Sequence, residues 1–168
     1  SPEGAVYGSL RAAACSAEYG AMVEKWLDSA ADMGDAPTAL TRMFVQDGAF
    51  VYLPASVEVQ TPIVVDCAYH AEGESEMCFA QTLVVADEGA RGEVIVTHRS
   101  AGSGRVMVGF TREAIVGRAA DVHFTELYDL QSNCSIVNNN YIAQMGESHC
   151  STMCSKTGEG YVRAAYNT

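Results

Sequence analysis

Positive charge is scarce in this sequence: 10 lysines and arginines stand against 21 aspartates and glutamates, a formal net charge of −11. A nucleic-acid binder needs a basic stripe to displace counterions, so neither nucleic acid nor an anionic membrane surface is expected as a partner. No run of about 18 apolar residues occurs, so no membrane-spanning helix is expected either. The opening Ser1-Pro2-Glu3-Gly4 lacks the basic and apolar segments of a secretory signal, and it lacks a starting methionine. The sequence therefore reads as a processed product or an excised piece of a longer chain. Nucleophile elbow, phosphate-binding loop and HExxH are missing too, so none of those catalytic signatures supports an enzyme.

What is present suits one domain with its own core. The chain has 168 residues, 48% of them apolar and 18% charged. Six cysteines occur, at Cys15, Cys67, Cys78, Cys134, Cys150 and Cys154. Disulfide frameworks usually rescue small secreted domains that cannot build a core, and this chain can build one. Reduced thiols in a cytoplasmic protein are the expectation, most of them acting as small buried hydrophobes.

Two regions differ in pattern. Leu10, Ala13, Ala14, Ala17, Ala21, Trp26 and Leu27 fall at helical spacing, predicting a helix over 9–32 with Ser9 as its N-cap. Gly34-Asp35 ends it, and Pro37 opens a second short helix over 38–45, closed by Asp47-Gly48. Trp26 and Leu27 are expected to pack the first helix onto the end of the domain. Beyond Gly48, short β-prone runs alternate with turns: 50–53, 63–65, 79–85, 93–97, 106–111, 114–116, 122–130, 135–143 and, more weakly, 161–165. Glycine-bearing turns separate them, at Asp87-Glu88-Gly89, Ala101–Gly104, Gly117-Arg118 and Lys156–Gly160.

Some runs are unbroken, such as Leu83-Val84-Val85 and Val94-Ile95-Val96; others alternate, as at Val106, Val108 and Phe110. A sandwich or barrel would show more hairpin turns. The many short strands suit a solenoid with coils of about 20–25 residues, in which Asn138-Asn139-Asn140 would stack as ladders between coils. Antiparallel hairpins, or a sandwich of two facing sheets, would contradict it.

Each candidate site has a packing role as its alternative. His149, Cys150 and Cys154 form the foremost metal or cluster candidate, because positions 150 and 154 of a strand share a face; two cysteines filling the interior is the competing reading. Cys67-Ala68-Tyr69-His70 is a C-x-x-H without a second ligand pair, so Cys67 reads as core and His70 as surface or turn. His98-Arg99 could form a polar site on the rod's face. Glu72, Glu74 and Glu76 could imitate the clustered acids of a carbohydrate-active β-helix, the rival from another class, or be a solvated loop.

The stretch Pro37-Thr38-Ala39-Leu40-Thr41-Arg42-Met43-Phe44-Val45-Gln46-Asp47-Gly48, continuing to Leu53-Pro54, resembles the "TALN-x-A-F-x-x-DG-x-x-x-x-VP" entry to the core of SufB/SufD proteins. Pro62-Ile63 follows at the family's distance. Residues 82–90 and 113–120 are similar to its "LIVAEENA" and "VEIFVGENA" coils, residues 123–131 to its "YYELQ" strand and 138–142 to its "NNLYI" element. Val6-Tyr7-Gly8-Ser9-Leu10 is similar to its "V-x-x-x-SL" lead-in.

The resemblance implies a right-handed parallel β-helix preceded by a short helical segment, with residues 1–36 as helical lead-in or cap and 37–168 as a core cut short at its C-terminal end. It implies a non-catalytic scaffold subunit of the SUF iron–sulfur cluster assembly complex. The implied partners are a SufB-like subunit and, in the full-length protein, a SufC-like ATPase; a homodimer of this piece through its exposed coil edge is the other association its solenoid end allows. No cofactor is expected in this segment, and an iron–sulfur cluster would belong to a partner interface of the full complex. The SufB "GCTAP" thiol aligns with Arg99, which places the sequence on the SufD side.

Overall fold

Alternating inward residues wind the chain into a parallel β-solenoid. The computed structural model describes residues 4–168; the residues 1–3 read above lie outside the described residues. The winding strands are β2 (Asp47–Leu53), β3 (Ile63–His70), β4 (Glu76–Ala86), β5 (Arg91–Ala101), β6 (Val106–Val116), β7 (Asp121–Leu130), β8 (Cys134–Gln144), β9 (His149–Gly158) and β10 (Tyr161–Asn167). A further strand, β1 (Val6–Ser9), borders β2.

Two sheets result, ordered β1-β2-β4-β6-β8-β10 and β3-β5-β7-β9. They are two walls of one winding, not halves of a sandwich, because each strand pairs in parallel with the strand two places on. Only the β1–β2 pair among them is antiparallel. Phe50 lies beside Leu83, Leu83 beside Glu113 and Glu113 beside Tyr141. Successive coils thus advance 33, 30 and 28 residues, longer than the expected 20–25, because each holds two long strands and both corners.

One core fills the space between the walls. Val106, Val108, Phe110, Ala114 and Val116 of β6 meet Val122, Phe124, Tyr128 and Leu130 of β7 there. A second, smaller core lies outside the six-stranded sheet, where helices cover it. Val84 faces the first core, while Leu83 and Val85 face the second. That double burial explains the unbroken apolar run, since neither face of the strand meets water.

The helical region departs from its predicted outline. The single run over 9–32 is two helices, α1 (Leu10–Ala14) and α2 (Gly20–Trp26). Ser9 caps α1 as expected, accepting from the Ala12 N–H at 3.3 Å. The break follows from Ser16, whose hydroxyl accepts from the N–H groups of Glu18 and Tyr19 and offers the backbone a turn instead of another helical rung. The next helix, α3 (Ala36–Phe44), starts two residues early because Asp35 is its N-cap: Oδ2 accepts from the Thr38 N–H at 3.0 Å. Trp26 and Leu27 pack on the flank of the six-stranded sheet, not on its end. Among the described residues no helix is long and apolar enough to cross a membrane.

Glu113 ties this helical region to the solenoid. Its buried carboxylate accepts from the backbone N–H groups of Asp28 (2.7 Å), Ala30 (3.0 Å) and Ala31 (3.1 Å), and from the Gln81 side chain. Burial raises its pKa, and the hydrogen-bond donors offset only part of that rise.

Three strand expectations change. The runs 106–111 and 114–116 are one strand, because Arg112 and Glu113 stay in the ladder. β9 is missing from the β-prone runs, although the Cys150/Cys154 reading takes that stretch as a strand: its polar residues carry little hydrophobic signal, and the ladder with β7 keeps it extended through Gly158, where a turn was expected. Nor do Asn138, Asn139 and Asn140 form a ladder; their neighbours in β6 are Phe110, Thr111 and Arg112.

Candidate functional site

Strand alternation carries charged and polar side chains into the first core as well as apolar ones. Arg112 continues the inward series of Val108 and Phe110; Glu126 continues that of Val122 and Phe124. Their side chains are 0% exposed, and an Arg112 nitrogen lies 3.1 Å from a Glu126 oxygen across the winding. That contact lies off the N–H direction, so it is an ion pair rather than a hydrogen bond. The guanidinium also sits over the Phe124 ring, 4.1 Å from its centroid.

The other Glu126 oxygen accepts from Tyr128 Oη (2.7 Å), Asn138 Nδ2 (3.0 Å) and Tyr166 Oη (2.9 Å). Asn140 donates to Asn138 Oδ1 at 3.1 Å. Residues of β6, β7, β8 and β10 therefore converge on one carboxylate. Burial pushes the Tyr128 and Tyr166 phenols well up, and Glu126 adds to both shifts. In the last coil, Cys154 is the register neighbour of Glu126, and Tyr166 that of Asn140.

His98 and Arg99 do not form one site, because successive strand residues face opposite ways. The His98 ring lies inside, stacked on Tyr128 (4.8 Å between centroids) and near-parallel to Tyr69 (6.1 Å). Its Nδ1 hydrogen-bonds Tyr69 Oη at 2.9 Å. Arg99 lies outside, paired with Asp66 through Nε at 2.9 Å and through Nη2. Hydrogen bonds from Arg99 and Thr97 hold the Asp66 carboxyl down at about 2.

Burial lowers His98 to about 4, chiefly by desolvating its cation. An unfolded histidine titrates near 6.5, so between those values the unfolded chain binds more protons than the folded one. Stability from this group is complete above about pH 6.5 and is lost as pH falls toward 4, by about 3 kcal/mol. Urea unfolding of the unaltered chain and of His98→Phe at pH 7, 5.5 and 4.5 checks this; the variant is expected to lose less stability over that interval.

The remaining candidates are dispersed. Cys150 and Cys154 share one face of β9 as expected, but Cys154 is exposed there instead of filling the interior, and His149 lies on the opposite face. Cys150 packs against the core, and burial raises its thiol while Arg112 opposes. Cys67 also packs inward, its thiol pushed up to about 11, whereas exposed His70 sits 3.1 Å from Glu72. The C-x-x-H pattern is thus split across the sheet. Glu72 and Glu74 occupy the turn after β3 and Glu76 opens β4, all exposed. The six cysteines are all free thiols.

Sequence reasoning missed Arg112 and Glu126, and read Asn138 as a ladder residue instead of a donor to Glu126. A signal existed: each is a charged or amide residue in an inward phase otherwise occupied by apolar ones. It also missed Asp121 and His123, which with His149 bring three ligand atoms within 4.8 Å of one another on the outer face. Nothing local joins residues 26 positions apart.

Two family models match the chain in tandem. The SufBD protein N-terminal region covers residues 1–65, and the SUF system FeS cluster assembly SufBD core domain covers residues 69–168. A comparison with curated proteins finds no match. On those tandem matches, which take in the helical region and the parallel solenoid alike, the chain belongs to the SufB/SufD family of the SUF iron–sulfur cluster assembly system.

Proposed function

We propose that this chain is a SufD-type scaffold component of the SUF complex, working in the cytoplasm by binding a SufB-like subunit and, in a longer chain, a SufC-like ATPase. The observation that carries the reading is the tandem family match along a parallel solenoid. Backbone hydrogen bonds run from coil to coil through both walls, which makes a stiff rod suited to presenting a fixed surface. Arg99 at the position of the SufB thiol supports the SufD side, as an exposed residue held by Asp66. The free thiols fit a reducing compartment. Its part in cluster assembly is structural, with the chemical work done by partners.

Affinity purification of the longer protein containing this segment, co-expressed with SufB-like and SufC-like subunits, tests the proposal. A stoichiometric ternary complex that survives 0.5 M salt (about three times physiological ionic strength) is expected. A full-length protein that purifies alone sinks the partner assignment. Formation of a complex in which this chain replaces a SufB-like subunit would overturn the SufD assignment.

A further inference from the structure

Three side chains that the scaffold role does not use meet on the outer face of the four-stranded sheet. Asp121 and His123 lie on β7, two residues apart and therefore on the same side. His149 opens β9 as the register neighbour of Asp121, one coil on. One donor atom from each falls within 4.8 Å of the other two. His123 Nε2 is 3.5 Å from Asp121 Oδ1, and the two imidazole rings are 5.9 Å apart.

Two further features mark the trio as more than adjacent polar groups. Asp121 Oδ1 is buried from solvent and has no hydrogen-bond partner, although the Asp121 side chain as a whole is 41% exposed. A buried carboxylate oxygen without a donor is costly unless a cation satisfies it. Ser151, the register neighbour of His123, lies with Oγ 2.6 Å from His123 Nδ1. The tautomer in which Nδ1–H donates to that hydroxyl is the one that leaves the Nε2 lone pair facing Asp121 and open to an ion. Fixing the far ring nitrogen in this way is how outer-shell groups orient metal-bound histidines.

From this geometry we infer a surface binding site for a divalent first-row transition-metal ion, formed by Asp121, His123 and His149 with Ser151 orienting His123. Two imidazoles and one carboxylate are borderline donors that suit zinc, cobalt, nickel or iron rather than calcium or magnesium. A tetrahedral ion bound at about 2.0–2.1 Å holds its donors about 3.3 Å apart, so the side chains close by roughly 1 Å each. Exposed imidazoles make that adjustment without disturbing the ladder; His123 is 50% exposed. Three protein ligands leave at least one position for water or a partner's donor. Arg91 and Glu93 are the β5 neighbours of Asp121 and His123, so the flanking formal charges cancel. The site lies on the opposite face of β9 from Cys150 and Cys154.

Zinc and cobalt titrations of the 168-residue chain test the site. Cys15 and Cys154 are exposed thiols and could bind the same ions, so the titrations use the chain with both changed to serine. One equivalent is expected to bind, with cobalt giving the visible d–d absorption of a nitrogen–oxygen site and no thiolate charge-transfer band. His123→Asn and His149→Asn should each weaken binding at least tenfold, and Ser151→Ala about tenfold. All three changes are at the surface and should leave the unfolding midpoint in place. The inference is overturned if neither histidine change affects binding, if removing the two thiols abolishes it, or if no ion binds at about 100 μM, a level above ordinary site affinities. None of these outcomes depends on the SufD assignment.

Discussion

Glu126→Ala is expected to lower the unfolding free energy by about 3–5 kcal/mol, the usual cost of stranding one partner of a buried ion pair. Arg112 would keep its charge inside the core against the Phe124 ring, with no hydrogen-bond acceptor on its nitrogens. Tyr128, Asn138 and Tyr166 would lose their shared acceptor at the same time. The double change Arg112→Met with Glu126→Leu removes both charges and keeps the volume, so it should recover most of the loss. Denaturant unfolding of the three proteins measures this. A Glu126→Ala loss below about 1 kcal/mol would mean that Arg112 finds another counter-charge or reaches solvent.

Gly48→Ala should be nearly as damaging, costing about 4 kcal/mol, above the usual range for overpacking because the obstacle is backbone. A Cβ there would lie 1.6 Å from the Gln81 carbonyl oxygen and 2.7 Å from its carbon. Gly48 is the second residue of β2 and the register partner of Gln81, so the first coil rests directly on β4 at this point. Relief requires pulling β2 away from β4, and β1 is hydrogen-bonded to β2. Gly8→Ala is the matched control, because its Cβ would meet nothing within 4 Å. Equal midpoints for the two variants in thermal unfolding would show that the close approach is relieved cheaply.

The family entry segment was legible in the sequence because its demands are local. Asp47-Gly48 marks the corner, and the glycine is required by a backbone contact that no side chain can share. The Ser9 cap was equally readable, since capping involves residues three apart. The α1–α2 break was not, because periodicity over 10–27 hides a serine turn at Ser16. β9 did not stand out as a β-prone run for the opposite reason: most of its residues are exposed, and its extension is imposed by pairing with β7.

Site residues divide along the same line. That Cys150 and Cys154 share a face follows from strand periodicity alone, as does the separation of His149 from both. Period, however, does not say which face is interior or what lies opposite. Arg112 meets Glu126 only because β6 and β7 are in facing walls, and His149 meets Asp121 only because β9 lies beside β7 in that register.

By itself the sequence carried the kinship and, through that resemblance, the parallel-solenoid class; it also marked the positions of most strands, since apolar phase and turn residues act over a few neighbours. The tertiary structure alone decided the length of each coil, the number of walls, and which polar groups stand together. Those depend on the stacking register between strands 26 to 33 residues apart, and contacts at that separation are fixed by packing the whole winding, not by any local preference.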